Sequence, residues 1–153
     1  MMTSMPEVAT EWQNFDQLST DELYELLRFR QDIFIVEQGS PYPDIDGFDR
    51  DAWHLLLRID GAFTGYLRLI PAPPSVRIGR VAVAPSMRGR GLGRRLMEES
   101  LLFYRAQYPA LPVVLTAQAH LVTFYRSYGF EPTGAPFDDF GVAHVEMELR
   151  PLG

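Results

Sequence analysis

Three glycines at alternating positions, 89, 91 and 93, stand among arginines in the segment from residue 88 to residue 95. The residues before this segment read as the end of a strand, and those after it follow helical periodicity. Glycine lets the backbone approach a ligand closely, and a helix N-terminus offers free N–H groups with a partial positive charge. Arginines at 88, 90, 94 and 95 add charged donors. The segment therefore predicts a binding site for a pyrophosphate group.

Two other phosphate-binding patterns do not fit this segment. The Walker pattern requires Gly-Lys-Ser/Thr, and the chain contains no lysine. The dinucleotide fingerprint requires an acidic residue about 20 residues further on, at the end of a second strand, and none is found there. A tight turn with solvated arginines remains as the purely structural alternative. The glycine spacing, the arginine cluster and the strand–loop–helix order together favour the ligand site.

The strand before the glycine-rich loop changes its alternation. Val76 and Ile78 are apolar in one phase, whereas Val81 and Val83 are apolar in the opposite phase, with Arg80 between the two pairs. Such a change fits a β-bulge, which leaves backbone N–H and C=O groups unpaired. An extended, amide-containing ligand can pair with such groups as an added strand. A central strand that is apolar on both faces would show the same pattern.

The charge is distributed unevenly along the chain. The 153 residues include 20 acids and 14 bases, which give a net charge of -6, and every base is arginine. Residues 1–60 carry a charge of -9, residues 61–130 carry +7 and residues 131–153 carry -4. A basic middle third within an acidic chain indicates a local anionic ligand, whereas general nucleic-acid binding would need a more basic protein.

Several classes of chemistry are excluded by residues that the chain lacks. Without cysteine there is no disulfide, cysteine-ligated metal or thiol nucleophile, and without lysine there is no Schiff base. Asp44, Asp46 and Asp49 are spaced like part of a calcium loop, but the remaining ligands of that pattern are missing. We find neither a secretory signal nor an apolar run long enough to cross a membrane. We therefore expect a cytoplasmic protein without a metal site.

The elements that position these residues follow from periodicity and turn signals. Ser19 and Glu22 have the spacing of a capping box and predict a helix that ends near Gly39. A long loop rich in Pro, Gly and Asp follows, from Ser40 to Asp51, and is called the acidic loop below. Asp60-Gly61 predicts a tight hairpin turn. A mixed α/β sheet with helices on its faces follows, in one domain spanning residues 1–153. The other predicted elements are strands at 53–59, 62–70, 76–84, 112–117 and 142–149, and helices at 91–107 and 119–128.

Two motifs resemble signatures of one family, the GNAT (GCN5-related) N-acetyltransferases. Arg88-x-x-Gly91-x-Gly93 after a Val-Ala-Val strand resembles its coenzyme A pyrophosphate motif. Ala119-His120-x-x-x-Phe124-Tyr125-x-x-x-Gly129-Phe130 is similar to its second signature. The order of elements matches from about residue 15 to residue 149. A finer set of matches resembles the ElaA-like subfamily: Val36-Glu37-Gln38, Pro41-Tyr42-Pro43-Asp44-x-Asp46-Gly47-x-Asp49, Gln118-Ala119-His120 and Gly141-x-x-His144-x-x-Met147.

The resemblance implies a GNAT-like acyl-CoA N-acyltransferase fold, with a central, mostly antiparallel twisted sheet. It also implies direct transfer of an acetyl group from acetyl-CoA to an amine, without a covalent enzyme intermediate. Backbone groups of Val81, Ala82 and Val83 would pair with the pantetheine arm, and the Val83 N–H would polarise the thioester oxygen. His120 would either contact the same arm or cap the strand–helix junction. The pyrophosphate would be held by Arg88, Gly89, Arg90, Gly91, Gly93 and Arg94.

Catalytic roles are also carried over from the family. Tyr125 matches the general acid that protonates the departing thiolate. Many relatives have a Glu on the strand before the loop, but here no carboxylate lies between Asp60 and Glu98. Glu37 and His144 are therefore the candidate bases, acting directly or through an ordered water. As purely structural alternatives, Glu37 would cap a helix end and His144 would be a half-buried imidazole.

The acceptor amine is left open by the sequence. Tyr42, Asp46 and Glu37 are the candidates for binding a cationic primary amine, and the acidic loop could equally be solvated. A non-catalytic acyl-CoA sensor is the alternative function, favoured by the missing strand Glu and opposed by Tyr125. An RNA-directed enzyme is disfavoured because acidic segments flank the basic block. A homodimer is the common default for such folds.

Overall fold

The computed structural model describes residues 6–151, which form an eight-stranded mixed sheet with helices on both faces. The sheet order is β1-β2-β3-β4-β5-β8-β6, and β7 pairs with β8. The strands are β1 Val8–Asn14, β2 Trp53–Ile59, β3 Ala62–Ala72, β4 Ser75–Val83, β5 Val113–Gln118, β6 Glu131–Pro132, β7 Phe137–Asp139 and β8 Val142–Leu149. The helices are α1 Thr20–Arg30, α2 Leu92–Gln107 and α3 Val122–Arg126.

The five predicted strands and three predicted helices are all present, with ends that differ by a few residues. Three strands were not predicted, namely β1, β6 and β7. β6 and β7 contain only two and three residues, too few to show alternation. None of the helices within residues 6–151 is long and apolar enough to cross a membrane.

The first helix begins at the predicted capping box. The Ser19 hydroxyl accepts a hydrogen bond from the Glu22 N–H at 3.0 Å, and the Glu22 carboxylate accepts one from the Ser19 N–H at 2.9 Å. α1 then continues without a break as a π-helical segment, Gln31–Glu37. π-Helical turns are rare and are frequent at functional sites. This extension carries Glu37 to the start of the acidic loop.

The two faces of the sheet bury different helices. Alternate residues of a strand point to opposite faces, so Leu55 and Leu57 of β2 join the core under α2, whereas His54 and Leu56 face α1. Most apolar side chains of α2 are buried there, but that of Phe103 is not. That ring is only partly buried and stacks on Trp12 of β1, with the two ring centroids 4.3 Å apart.

β4 and β5 are the parallel pair at the centre of the sheet, and they separate soon after they meet. Their pairing covers only Val76 with Val113 and Arg77 with Val114. Every other pairing between neighbouring strands is antiparallel. Because the remaining residues of β4 lean away from β5, a cleft opens between the two strands.

The predicted bulge lies in β4, where the strand borders this cleft. Tyr66 is opposite Ala82 and Arg68 is opposite Gly79, so one residue of β3 faces two residues of β4 between these pairs. Those two residues are Arg80 and Val81. The φ of +54° at Arg80 is left-handed, which is unusual for a residue other than glycine. The phase change in the sequence is therefore a bulge.

Gly91 precedes α2 with a φ of +79°, and a Cβ atom added there would meet no atom within 4 Å. We expect Gly91→Ala to lower the free energy of unfolding by about 1–2 kcal/mol, because an L-residue is strained at this φ. Gly134→Ala is the matched control, since Gly134 also has open space around it but no left-handed φ. Chemical denaturation measures both variants. Equal stabilities would show that the backbone at residue 91 relaxes without cost.

Candidate active site

A cleft of about 480 Å³ lies between β4 and β5. It is bounded by the exposed edge of β4, the glycine-rich loop with the first turn of α2, helix α3, and the π-helical segment with the β7–β8 hairpin. Ten of the predicted site residues line it: Tyr42, Val81, Ala82, Val83, Arg88, Gly89, Gly91, Gly93, Tyr125 and His144. The other predicted residues, Glu37, Asp46, Arg90, Arg94 and His120, lie outside this lining.

The edge of β4 presents backbone N–H groups to the cleft. The Ala84 N–H donates to the Thr64 carbonyl of β3 at 2.7 Å, so the Val83 N–H, one residue earlier, faces the opposite edge. The same alternation turns the Val81 N–H toward the cleft. Upstream of the bulge it is Val76 whose N–H points toward β5, where it donates to the Pro112 carbonyl at 2.9 Å. The bulge thus changes which residues of β4 face the cleft from even-numbered to odd-numbered.

The N-terminus of α2 follows the glycine-rich loop and lines the cleft next to this strand edge. Gly91 is the N-cap, and no side chain of residues 6–151 caps the first turn. The free N–H groups and the helix dipole of this 16-residue helix therefore face the loop. This is the arrangement that binds a phosphate or pyrophosphate anion.

Arg88 and Glu37, two predicted site residues, form an ion pair with each other. The Arg88 guanidinium donates to both carboxylate oxygens of Glu37, at 2.6 and 3.1 Å, and its Nε donates to the Val83 carbonyl at 3.2 Å. Both side chains are partly exposed. Arg88 thereby joins the π-helical segment to the end of β4 at the mouth of the cleft.

Tyr125 is the fourth of the five residues of α3, and its side chain is almost fully buried at the cleft wall. Its ring makes edge contacts with Phe124 and Phe130, at centroid distances of 5.1 and 6.3 Å. Burial raises the pKa of the Tyr125 phenol to about 12, so the phenol stays protonated at neutral pH. A protonated phenol facing the cleft is a proton donor.

His144 and Asp139 bring two further polar groups to the cleft from the β7–β8 hairpin. The His144 Nδ1 lies 2.8 Å from the Val142 carbonyl oxygen, which can only accept, so Nδ1 carries the proton. In the neutral imidazole the Nε2 lone pair is then free to accept a proton. Asp139 was not predicted, and among the described residues it is the one carboxylate that lines the cleft.

A closed ring of six alternating charges lies between α1, β3, β4 and the acidic loop. Each member contacts the next at 2.5 to 3.2 Å between nitrogen and oxygen. Most of these side chains are buried, and Arg30 is completely inaccessible to solvent. In order around the ring, the members are Arg30, Asp44, Arg80, Asp46, Arg68 and Asp49. The ring is electrically neutral, because three guanidinium groups balance three carboxylates.

The ring changes the interpretation of the acidic loop and of the basic middle third. Both oxygens of Asp46 accept hydrogen bonds from Arg68, and one also accepts from Arg80, so this carboxylate is engaged inside the protein. Asp51, in the same loop, is exposed. Six of the nine arginines in residues 61–130 lie within 4 Å of a carboxylate: Arg68, Arg77, Arg80, Arg88, Arg95 and Arg126. The net charge of that segment therefore overstates the charge left for an anionic ligand.

One local signal for the ring was present in the sequence. Arg30 occupies a position in the apolar stripe of α1, together with Leu23, Leu26 and Leu27. A charged residue at such a position must find a partner when the helix packs. The carboxylates that pair with it follow in the acidic loop, but loop acids usually remain solvated, so spacing alone does not reveal the pairing.

Asp46 makes the acid stability of the protein testable. Burial raises the pKa of its carboxyl, but hydrogen bonds from Arg68 and the Phe48 N–H outweigh that effect and lower the pKa from 3.8 to about 2. Because the folded pKa lies below the unfolded one, the ionised form stabilises the fold above pH 3.8, and this contribution is lost as the pH falls toward 2. We expect Asp46→Asn to flatten this part of the curve of unfolding free energy against pH. Asp51→Asn is the control, and parallel curves for Asp46→Asn and the unmodified protein would contradict the pairing.

Known proteins are similar to this chain along most of its length. A model of the family described as "Acetyltransferase (GNAT) domain" matches residues 34–151. Protein ElaA of Escherichia coli is 38% identical over 144 residues, covering 90% of this chain and 94% of ElaA. A UPF0039 protein of Synechocystis sp. is 38% identical over 148 residues, covering 94% and 96% of the two chains.

Two solved structures show the same fold. The crystal structure of E. coli ElaA superposes with a TM-score of 0.90 at 36% identity, covering 94% of this chain and 100% of that one. An acyl-CoA N-acyltransferase from Pseudomonas aeruginosa superposes with a TM-score of 0.89 at 35% identity, covering 94% and 99%. The family match and these relatives together show that the chain belongs to the GNAT acetyltransferase family, as an ElaA-like member.

Proposed function

We propose that this protein is an acetyl-CoA-dependent N-acetyltransferase that transfers the acetyl group directly to a primary amine of a small-molecule or peptide acceptor. One observation carries the proposal. The separated edge of β4 turns the N–H groups of Val81 and Val83 into a cleft that also contains the uncapped start of α2 and the phenol of Tyr125. Binding and cleavage of an acyl-CoA thioester require an anion-binding site, a strand edge with free N–H groups and a proton donor.

The two ends of acetyl-CoA match different parts of this cleft. The pyrophosphate would lie at the N-terminus of α2, where Gly89 and Gly91 bring the backbone close and the helix dipole favours negative charge. The pantetheine amides would pair with the edge of β4 as an added strand. Arg88, now paired with Glu37, would exchange that carboxylate for the pyrophosphate, because one guanidinium fork serves one bidentate partner.

The transfer would proceed by direct attack of the neutral amine on the thioester carbonyl carbon. As the C–N bond forms, charge develops on the carbonyl oxygen, and the Val83 N–H would stabilise it. The C–S bond then breaks, and Tyr125 would protonate the departing thiolate. The proton released by the amine would pass to the Nε2 of His144, or through water to Glu37 once Arg88 has released that carboxylate.

A non-catalytic acyl-CoA sensor is the alternative function. It is supported by the lack of a carboxylate on β4 and by the pairing of Glu37 with Arg88, which occupies one candidate base. It is opposed by the position of Tyr125, which lines the cleft together with the Val81 and Val83 edge of β4 as the matched general acid.

Release of free thiol from acetyl-CoA separates the two functions. We expect thiol release above the rate of spontaneous hydrolysis with at least one member of a panel of primary amines and peptide N-termini, together with an acetylated amine detected by mass spectrometry. CoA binding measured by calorimetry runs in parallel. Tight binding without amine-dependent thiol release from any panel member would favour the sensor.

The Tyr125→Phe variant tests the proton donor. We expect kcat to fall on the order of 10²-fold, the usual contribution of a general acid, with little change in the Kd for CoA. Tyr128→Phe is the matched control, because Tyr128 lies in the same segment but outside the cleft lining. If kcat and Kd change equally in Tyr125→Phe, the ring serves packing and not proton transfer.

A further inference from the structure

We propose that the six-charge ring is a positioning device for the thioester site: it holds Arg80 in its left-handed conformation and thereby fixes the bulge that turns the Val81 and Val83 amides into the cleft. The acidic loop would then act on catalysis through the backbone of β4 and not by binding the amine. The catalytic part of this inference rests on the proposed function, whereas the structural part does not.

The backbone of Arg80 is the strained point of the bulge, and its guanidinium group is held by the carboxylates of the six-charge ring. A residue other than glycine is disfavoured in this conformation and persists there only where its surroundings determine it. The guanidinium of Arg80 lies 2.9 Å from the Asp44 carboxylate and 3.2 Å from the Asp46 carboxylate, and it donates to the Asp44 carbonyl at 3.2 Å. It also lies over the ring of Tyr42, 5.3 Å from the centroid. All these contacts come from one short stretch of the acidic loop.

That stretch of the loop is itself held from two other elements. Arg30, in the last turn of α1, binds Asp44 and Asp49, and Arg68 of β3 binds Asp46 and Asp49. Because Arg30 and Arg68 are buried, these pairs are shielded from water and from salt. The loop therefore presents its carboxylates to Arg80 from a fixed position.

Asp46 joins the two strands on either side of the bulge. It binds Arg68, which is opposite Gly79 just before the irregular step, and Arg80, which lies within that step. A carboxylate between these two guanidinium groups ties β3 to β4 where the regular ladder is interrupted. The N–H of Val83, three residues after Arg80, depends on this geometry for its direction.

Two variants and one control test the device. In Arg80→Gly the left-handed conformation remains accessible but loses its anchor, while Asp44 and Asp46 each keep one arginine partner. Asp46→Asn removes the bridge, and Asp51→Asn changes an exposed carboxylate of the same loop. Thermal unfolding checks that each variant is folded.

We expect Arg80→Gly and Asp46→Asn to lower kcat on the order of 10²-fold, the effect of a misplaced catalytic group, with the KM for the amine little changed. The Ala84 amide, which bonds to β3 beyond the bulge, should exchange its proton faster in both variants. The Val76 amide, upstream of the bulge, should not. Asp51→Asn should match the unmodified protein in every measurement.

Three outcomes would overturn the proposal. The first is an Arg80→Gly variant with unchanged kcat and unchanged exchange of the Ala84 amide. If Asp46→Asn does not fold, this result for Arg80→Gly is sufficient to reject the proposal. The second is an Asp46→Asn variant in which only the KM for the amine rises, because that result assigns the carboxylate to the acceptor. The third is equal acceleration of exchange at Val76 and Ala84, which indicates general loosening. If no amine reacts, the proposed function fails separately, and the exchange data still decide whether the ring fixes the bulge.

Discussion

Three arginines, two buried and one partly buried, pack against one face of the sheet, and their need for carboxylate partners is the constraint around which this half of the molecule is built. A buried guanidinium without a partner costs several kcal/mol, so each requires carboxylates within reach. Arg30, Arg68 and Arg80 each contact two, and each carboxylate contacts two arginines in turn. A planar fork with several donors is well suited to serve two carboxylates in this way, and all the cationic side chains of this chain's Lys and Arg set are arginine. An irregular loop is thereby fixed to a helix and two strands.

On the opposite face of the sheet, the structure depends on the burial of apolar side chains. The core under α2 holds the helix against β2 and β3, and the separation of β4 from β5 leaves the helix N-terminus at the edge of the resulting cleft. Each part of the site therefore belongs to a different supporting system. The apolar core positions the anion-binding end, the charged ring lies behind the amide edge, and the aromatic contacts of Tyr125 with Phe124 and Phe130 position the phenol.

The sequence predicted those features that depend on neighbours along the chain. The bulge followed from the alternation of Val76 and Ile78 with Val81 and Val83, because strand geometry repeats every two residues. The ring did not follow, since Arg80 and Asp44 are 36 residues apart in the chain and meet only when the sheet forms. The pairing of Arg88 with Glu37 was missed for the same reason, as it joins residues 51 positions apart. Asp139 lies in a strand too short to be identified from alternation.

The bulge in β4 also bears on how the length of this strand can vary. Upstream of it the cleft-side N–H groups belong to even-numbered residues, and downstream to odd-numbered ones, so a single extra residue separates two opposite registers. Loss of Arg80 would leave a regular ladder with β3 in which the N–H groups of Val81 and Val83 still faced the cleft, but the strand would lose its contact with the acidic loop. With Arg80 present, those N–H groups face the cleft only while the extra residue stays in the bulge. The residue count of this strand is therefore coupled to its conformation.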